Sequence, residues 1–189
     1  MRRAAEVCIL SGLLILAVSC GGATEEDAYS EEAAPASQAE TAPAEAVANL
    51  EAKSGSSVEG EARFVAADGS VTLTLNVRNA PPGEHAFHVH AIGDCSAEDG
   101  TSAGGHWNPT DEDHGKWDQN PFHLGDVGNL MVGEDGNGTI QLSTTWWEIG
   151  TGEANDVVGK SVIVHAGADD FTTQPTGAAG GRIACGVIE

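Results

Sequence analysis

After its first 45 positions the chain shows short runs in which apolar and polar residues alternate. In Val71–Asn79 the residues Val71, Leu73, Leu75 and Val77 share one face with polar residues between them, the period-two pattern of a half-buried strand. Val58–Ala66 has the same character, and Asp68-Gly69 between the two is a hairpin signal, so an antiparallel pair is expected there. Further strands are predicted at Ala46–Lys53, Glu84–His90, Thr139–Trp147, Lys160–His165 and Arg182–Ile188, with a weaker one at Gly128–Val132. No heptad or long apolar helical stripe occurs, which removes helix bundles and coiled coils. The pattern predicts an all-β domain, an antiparallel sandwich or flattened barrel of about eight strands. Gly93–Gly128 follows neither period, and so long a patternless run inside a compact domain calls for a disulfide or a metal to order it.

The first residues read differently. Met1-Arg2-Arg3 is followed by Val7–Val18, a mostly apolar run shorter than the roughly 20 residues that span a bilayer. Residues 1–19 are therefore expected to be a signal peptide. Leu16-Ala17-Val18-Ser19-Cys20 resembles a bacterial lipoprotein cleavage box, in which Cys20 becomes the lipid-modified first residue. Gly21–Glu45 holds seven acidic residues and no basic one among Ala, Pro, Ser and Thr, a composition that cannot bury enough apolar surface to offset its ordering entropy. Residues 20–45 are expected to be a disordered acidic tether, leaving 46–189 as one domain. The expected location is outside the cytoplasm, lipid-anchored to a bacterial membrane and facing the periplasm or the cell surface.

Charge narrows the function further. The chain carries 8 basic and 29 acidic side chains, a net charge of −21, which excludes a nucleic-acid binder. Within 46–189 the balance is 6 basic to 21 acidic. Of the 4 cysteines, Cys8 leaves with the signal and Cys20 takes the lipid, so Cys95 and Cys185 remain as a disulfide or as two free thiols. Export favours the disulfide.

Candidate chemistry lies in the histidines. Phe87-His88-Val89-His90 puts two imidazoles at i and i+2 on one strand face, close enough to share a metal. Alone, such a pair is as readily two half-exposed strand histidines. The patternless segment adds His106, His114, His123 and Asp126, and the strand Val162-Ile163-Val164 ends in His165. A loop without secondary structure that carries three histidines and an aspartate is one that metal ligation can order. His85 reads as structural, Asp135-Gly136-Asn137-Gly138 as a turn rather than a glycosylation site, and Trp146-Trp147 as a core residue with its exposed neighbour.

These residues in their contexts resemble the copper,zinc superoxide dismutases over essentially all of 46–189. The resemblance rests on Phe87-His88-Val89-His90, Gly93-Asp94-Cys95, Gly104-Gly105-His106-Trp107-Asn108-Pro109, His114-Gly115, His123-Leu124-Gly125-Asp126-Val127-Gly128-Asn129, Val164-His165-Ala166-Gly167-Ala168-Asp169-Asp170 and Gly181-Arg182-Ile183-Ala184-Cys185-Gly186. It implies a Greek-key barrel with long metal-binding and electrostatic loops. It further implies copper on His88, His90, His106 and His165, and zinc on His106, His114, His123 and Asp126. Asp169 would link His88 to His114, Arg182 would dock the anionic substrate, and Cys95 would bridge to Cys185. The implied reaction converts superoxide to dioxygen and hydrogen peroxide, with His106 and Arg182 as the catalytic side chains. The alternative is a copper-binding or copper-delivery module on the same fold without turnover. A copper-only enzyme is disfavoured by the intact His114, His123 and Asp126. Homodimer and monomer both stay open, and Phe171–Pro175 is neutral where the resemblance implies substrate-guiding charges.

Overall fold

A computed structural model describes residues 44–189; the expected signal peptide, Cys8, Cys20 and nearly all of the expected tether lie outside the described residues. Eight strands follow one another as β1 (Glu45–Ala52), β2 (Glu59–Ala67), β3 (Ser70–Arg78), β4 (Gly83–His90), β5 (Gly128–Val132), β6 (Gly138–Thr144), β7 (Ser161–His165) and β8 (Arg182–Val187). They pair antiparallel in the order β1-β2-β3-β6-β5-β4-β7-β8, and β8 closes onto β1. The step from β3 to β6 and the return through β5 and β4 make it a Greek-key barrel without a free edge. The expected all-β class and strand count hold. No helix among the described residues is long and apolar enough to cross a membrane.

Alternation accounts for the interior. Val71, Leu73, Leu75 and Val77 point inward, and across the hairpin Ala62 and Phe64 lie opposite Leu75 and Leu73. Asp68 and Gly69 both take positive φ at that turn, as a two-residue hairpin demands. Ala46, Ala48 and Leu50 of β1 join Val162, Val164, Ala184 and Ile188 to close the core. β6 ends at Thr144, before Trp147: the Thr144 hydroxyl accepts the Trp146 N–H, and Trp147 then tucks against Phe64 at 5.8 Å between ring centres. Trp147 is buried and Trp146 exposed. Asn137 sits in a turn, where the Asp135 carboxylate accepts its backbone N–H.

β4 and β7 differ from the other strands in being buried on both faces. Phe87 and Val89 belong to the barrel core, and by strand parity His88 and His90 face away from it. Opposite His88 lies Ile163, which packs with Ala103 and Cys185 in a second, external cluster. What covers this outer face is the segment between β4 and β5, with the Thr101–Ala103 turn of 3-10 helix, and the loop between β7 and β8.

Candidate metal centre

The long segment after β4 is fastened back onto β4 at one residue. Val89 donates to the Gly125 carbonyl and accepts from Trp107, each at 2.9 Å, and Gly125 in turn donates to the Trp107 carbonyl. Only glycine permits this approach, since a Cβ at Gly125 would lie 2.1 Å from the Val89 oxygen. His106 and His123 flank these anchors in sequence, and an isolated bridge pairs His90 with His106.

Two groups of four side chains result. One ring nitrogen from each of His88, His90, His106 and His165 lies within 4.8 Å of the others, and so do the offered atoms of His106, His114, His123 and Asp126. All seven residues are buried, and His106 belongs to both groups.

The opposite ring nitrogens set the orientation. His90 Nδ1 meets the Gly104 carbonyl at 2.9 Å, and His165 Nδ1 meets that of Gly180 at 3.3 Å. Asp169 holds His88 Nε2 at 2.8 Å with one oxygen and His114 Nε2 at 3.0 Å with the other. Asp169 is itself fixed by Asn129, whose amide donates to its carbonyl and accepts its N–H. This leaves His88 Nδ1, His90 Nε2, His106 Nε2 and His165 Nε2 buried without a hydrogen-bond partner. An orphaned buried polar atom costs about 1–3 kcal/mol, so four converging on one point call for a ligand that uses their lone pairs.

Electrostatics differ between the two pockets. Burial, with the His88 imidazole adding to it, pushes His165 down to about 3. Burial also holds His106 down, to about 4, against the opposing hydrogen bond from Asp126. His90 lies well below its ordinary value for the same first reason. At neutral pH these rings are neutral and can ligate without first losing a proton. At His114 burial is outweighed by Asp126 and Asp169, which raise it to about 9. Asp126 falls far below the carboxylate range despite its burial, because His106, His114 and His123 and the Gly115 N–H surround it. Its oxygens stand 2.7 Å from His106 Nδ1, 3.0 Å from His123 Nδ1 and 3.0 Å from His114 Nδ1. Two ligands on a tetrahedral ion with bonds of about 2.1 Å would sit roughly 3.4 Å apart, so this pocket is nearly at coordination size. The residues fit metals of two kinds. Four imidazoles suit a copper that changes oxidation state, and three imidazoles with a carboxylate suit zinc.

Arg182 stands beside the all-imidazole pocket. Its Nη1 donates to the Gly100 carbonyl at 2.7 Å and its Nη2 to that of Gly104 at 2.6 Å, the same oxygen that His90 uses. A β-bulge between Val164 and His165 shifts the register so that Arg182, rather than Ile183, pairs with His165. Cys95 is bonded to Cys185, which ties the segment bearing Gly100 and Gly104 to β8. Lys53, at the end of β1, donates to the Cys95 carbonyl at 2.6 Å and packs with Arg182 around Gly100. His85 lies outside both groups, with its two ring nitrogens 2.8 Å from the carbonyls of His165 and Pro81. The bulge, the shared Gly104 carbonyl, Lys53 and Asn129 carry no local sequence signal, since each acts through partners remote in the chain.

The family model for copper/zinc superoxide dismutase (SODC) matches residues 58–188. A solved structure of the clock protein EA4 is 35% identical, with 78% of this chain and 95% of that chain covered and a TM-score of 0.68.

Proposed function

The chain belongs to the copper/zinc superoxide dismutase family, and on that footing we propose that it is a working enzyme that converts superoxide to dioxygen and hydrogen peroxide. The observation that carries this is the set of four buried, partnerless imidazole nitrogens of His88, His90, His106 and His165. In this reading those four residues hold copper, while His106, His114, His123 and Asp126 hold zinc. Copper held there would supply one-electron redox chemistry.

The chain's own residues do the rest. Arg182, with two donors committed to Gly100 and Gly104, offers its remaining N–H groups to the anion at the rim of the copper pocket. His106 Nδ1 is retained on the Asp126 side, so Nε2 is the atom that takes up a proton in one half-reaction and gives it to the departing peroxide in the other. Asp169 fixes the His88 and His114 rings together, so that neither pocket can shift without the other.

Elemental analysis of the purified chain, combined with superoxide decay followed directly, tests the proposal. Both metals present with fast decay is the expected result. Stoichiometric copper without acceleration would favour the second reading, a copper-binding module, which draws its support from the similarity to a clock protein.

The same proposal puts the enzyme outside the cytoplasm, with residues 1–19 as signal, Cys20 lipid-modified, 20–45 as tether and 46–189 as the domain. Support comes from the short apolar run and from the Cys95–Cys185 bridge, since structural disulfides belong to oxidising compartments. Cys20→Ala is expected to move the protein from the membrane fraction to the soluble one. Wild-type protein recovered unmodified and wholly soluble would refute it.

A further inference from the structure

Phe171–Pro175 carries no charge, and one of its residues, Gln174, is bonded to the backbone of His114 in the zinc-type pocket. The turn is ordered by Asp170, whose carboxylate accepts the Thr172 and Thr173 N–H groups at 2.9 and 2.8 Å and the Thr173 hydroxyl at 2.6 Å. Gly177 closes it, donating to the Thr173 carbonyl at 2.7 Å and accepting from Asp170 at 2.9 Å. Gly177 has φ of +63°, and a Cβ there would fall 1.8 Å from Asp169 Oδ1 and 2.7 Å from His114 Nε2. The turn is therefore pressed directly against the Asp169–His114 contact.

From this turn Gln174 reaches a residue 60 positions away. Its Oε1 accepts the His114 backbone N–H at 2.9 Å and its Nε2 donates to the His114 carbonyl at 2.8 Å. His114 lies in a stretch without regular secondary structure, and its backbone makes no other hydrogen bond among the described residues. One side-chain amide thus does for His114 what a neighbouring strand would do. Asp169 fixes the far side of the ring, so Gln174 and Asp169 together determine where Nδ1 points.

We propose that Gln174 is a positioning residue for the zinc-type pocket, holding the His114 backbone so that the pocket keeps its ion. This rests on reading His106, His114, His123 and Asp126 as a metal pocket. The segment that lacks substrate-guiding charges instead serves metal retention.

The test uses the full chain loaded with Zn(II), and separately with Co(II) as a spectroscopic probe of that pocket. Release of the ion to excess chelator is followed for wild type, Gln174→Ala, Gln174→Glu and His114→Ala, with retention of Cu(II) by the other pocket measured alongside. Gln174→Ala is expected to release zinc about 10- to 100-fold faster, the size of effect seen when a group orienting a ligand is removed. Its Co(II) visible bands should shift, while copper retention stays as in wild type. Gln174→Glu keeps the shape and one acceptor but turns an anionic oxygen toward the His114 carbonyl, so it too should release zinc faster. It decides the matter if the alanine variant does not fold. Zinc release within about twofold of wild type in the folded variants, with unchanged Co(II) bands, would overturn the proposal. If His114→Ala retains zinc like wild type, the reading of the pocket itself falls; if His114→Ala loses zinc while both Gln174 variants keep it, only the role of Gln174 falls.

Discussion

Superoxide is an anion, and residues 46–189 carry a net charge of −15, so the rate of encounter turns on where the few cations stand. Arg63 and Arg78 pair with Glu45 and Glu59 on the outer strands. Lys116 lies over the Phe171 ring and Lys160 over Trp107, at 5.7 and 6.0 Å from the ring centres. Lys53 is engaged by the Cys95 carbonyl, and Asp94 lies within its field. Arg182 is thus the one cation whose guanidinium shares a carbonyl with a residue of the copper-type pocket. If two divalent ions were held as proposed, with His106 between them as the anion, the immediate surroundings would sum to about +2: +4 from the ions, −1 each from His106, Asp126 and Asp169, and +1 from Arg182. Arg182→Glu changes that sum by two charges. A unit charge pair at 4 Å is worth about 1 kcal/mol in water and more at a half-buried rim, so the reversal removes at least about 1.4 kcal/mol, or tenfold in rate. Arg182→Lys keeps the charge but cannot span both Gly100 and Gly104, and its loss should be smaller. The assay is superoxide decay across ionic strength. From about 0.01 to 0.15 M the screening length falls from roughly 30 Å to 8 Å, which weakens the distant acidic repulsion at least as much as the local pull. A wild-type rate that is flat or rises slightly is expected, and a several-fold fall with added salt would refute this account of the charges.

Three shorter predictions concern the pockets and the loop. His165→Ala should lose copper and keep zinc, whereas Asp126→Ala should lose zinc first, both by elemental analysis; equal loss of both metals from both variants would contradict two separate pockets. Because His114 is protonated up to about pH 9 in the metal-free protein and must be neutral to ligate, zinc uptake at pH 7 should release a proton. Zinc affinity should then rise about tenfold per pH unit toward that value, as calorimetry in buffers of different ionisation enthalpy would measure. Cys185→Ser opens a loop spanning 90 residues and should cost roughly 2–5 kcal/mol in denaturant unfolding; a loss below that range would show that the contacts around Gly100 hold the loop unaided.

The parts of the fold legible in the sequence are those governed by local periodicity. Val71 to Val77 announced β3 because one face of a strand must be apolar, and Asp68-Gly69 announced the turn because both residues had to adopt positive φ. The metal-pocket residues stood out together rather than by the His88/His90 pair alone: three histidines and an aspartate in a loop without periodicity, and His165 at a strand end, in contexts that resemble a known family. What the local pattern hid were contacts made where two distant segments meet. The end of β6 at Thr144 follows from Trp147 packing on Phe64, which overrides an alternation running on to Trp147. The bulge before His165 leaves no trace in Val162-Ile163-Val164-His165, although it decides that Arg182 faces the pocket. Gln174 read as an absent charge because its partner, a backbone amide 60 residues away, has no side-chain identity to recognise.

The charges of the zinc-type pocket balance one another. Asp126 and Asp169 are both buried and both held ionised, which would be prohibitively costly if nothing positive lay between them. His114 lies there, 3.0 Å from an oxygen of each, and its proton supplies the positive charge. An ion held in this pocket would be met by His114 Nδ1, while Nε2 keeps its hydrogen bond to Asp169. The copper-type pocket has no such carboxylate among its four residues, and its rings at His90, His106 and His165 stay neutral. It therefore offers lone pairs with little charge of its own, and the two carboxylates that reach it, Asp169 through His88 and Asp126 through His106, both also hold His114. An ion seated in either pocket accordingly favours the ring orientation that the other requires.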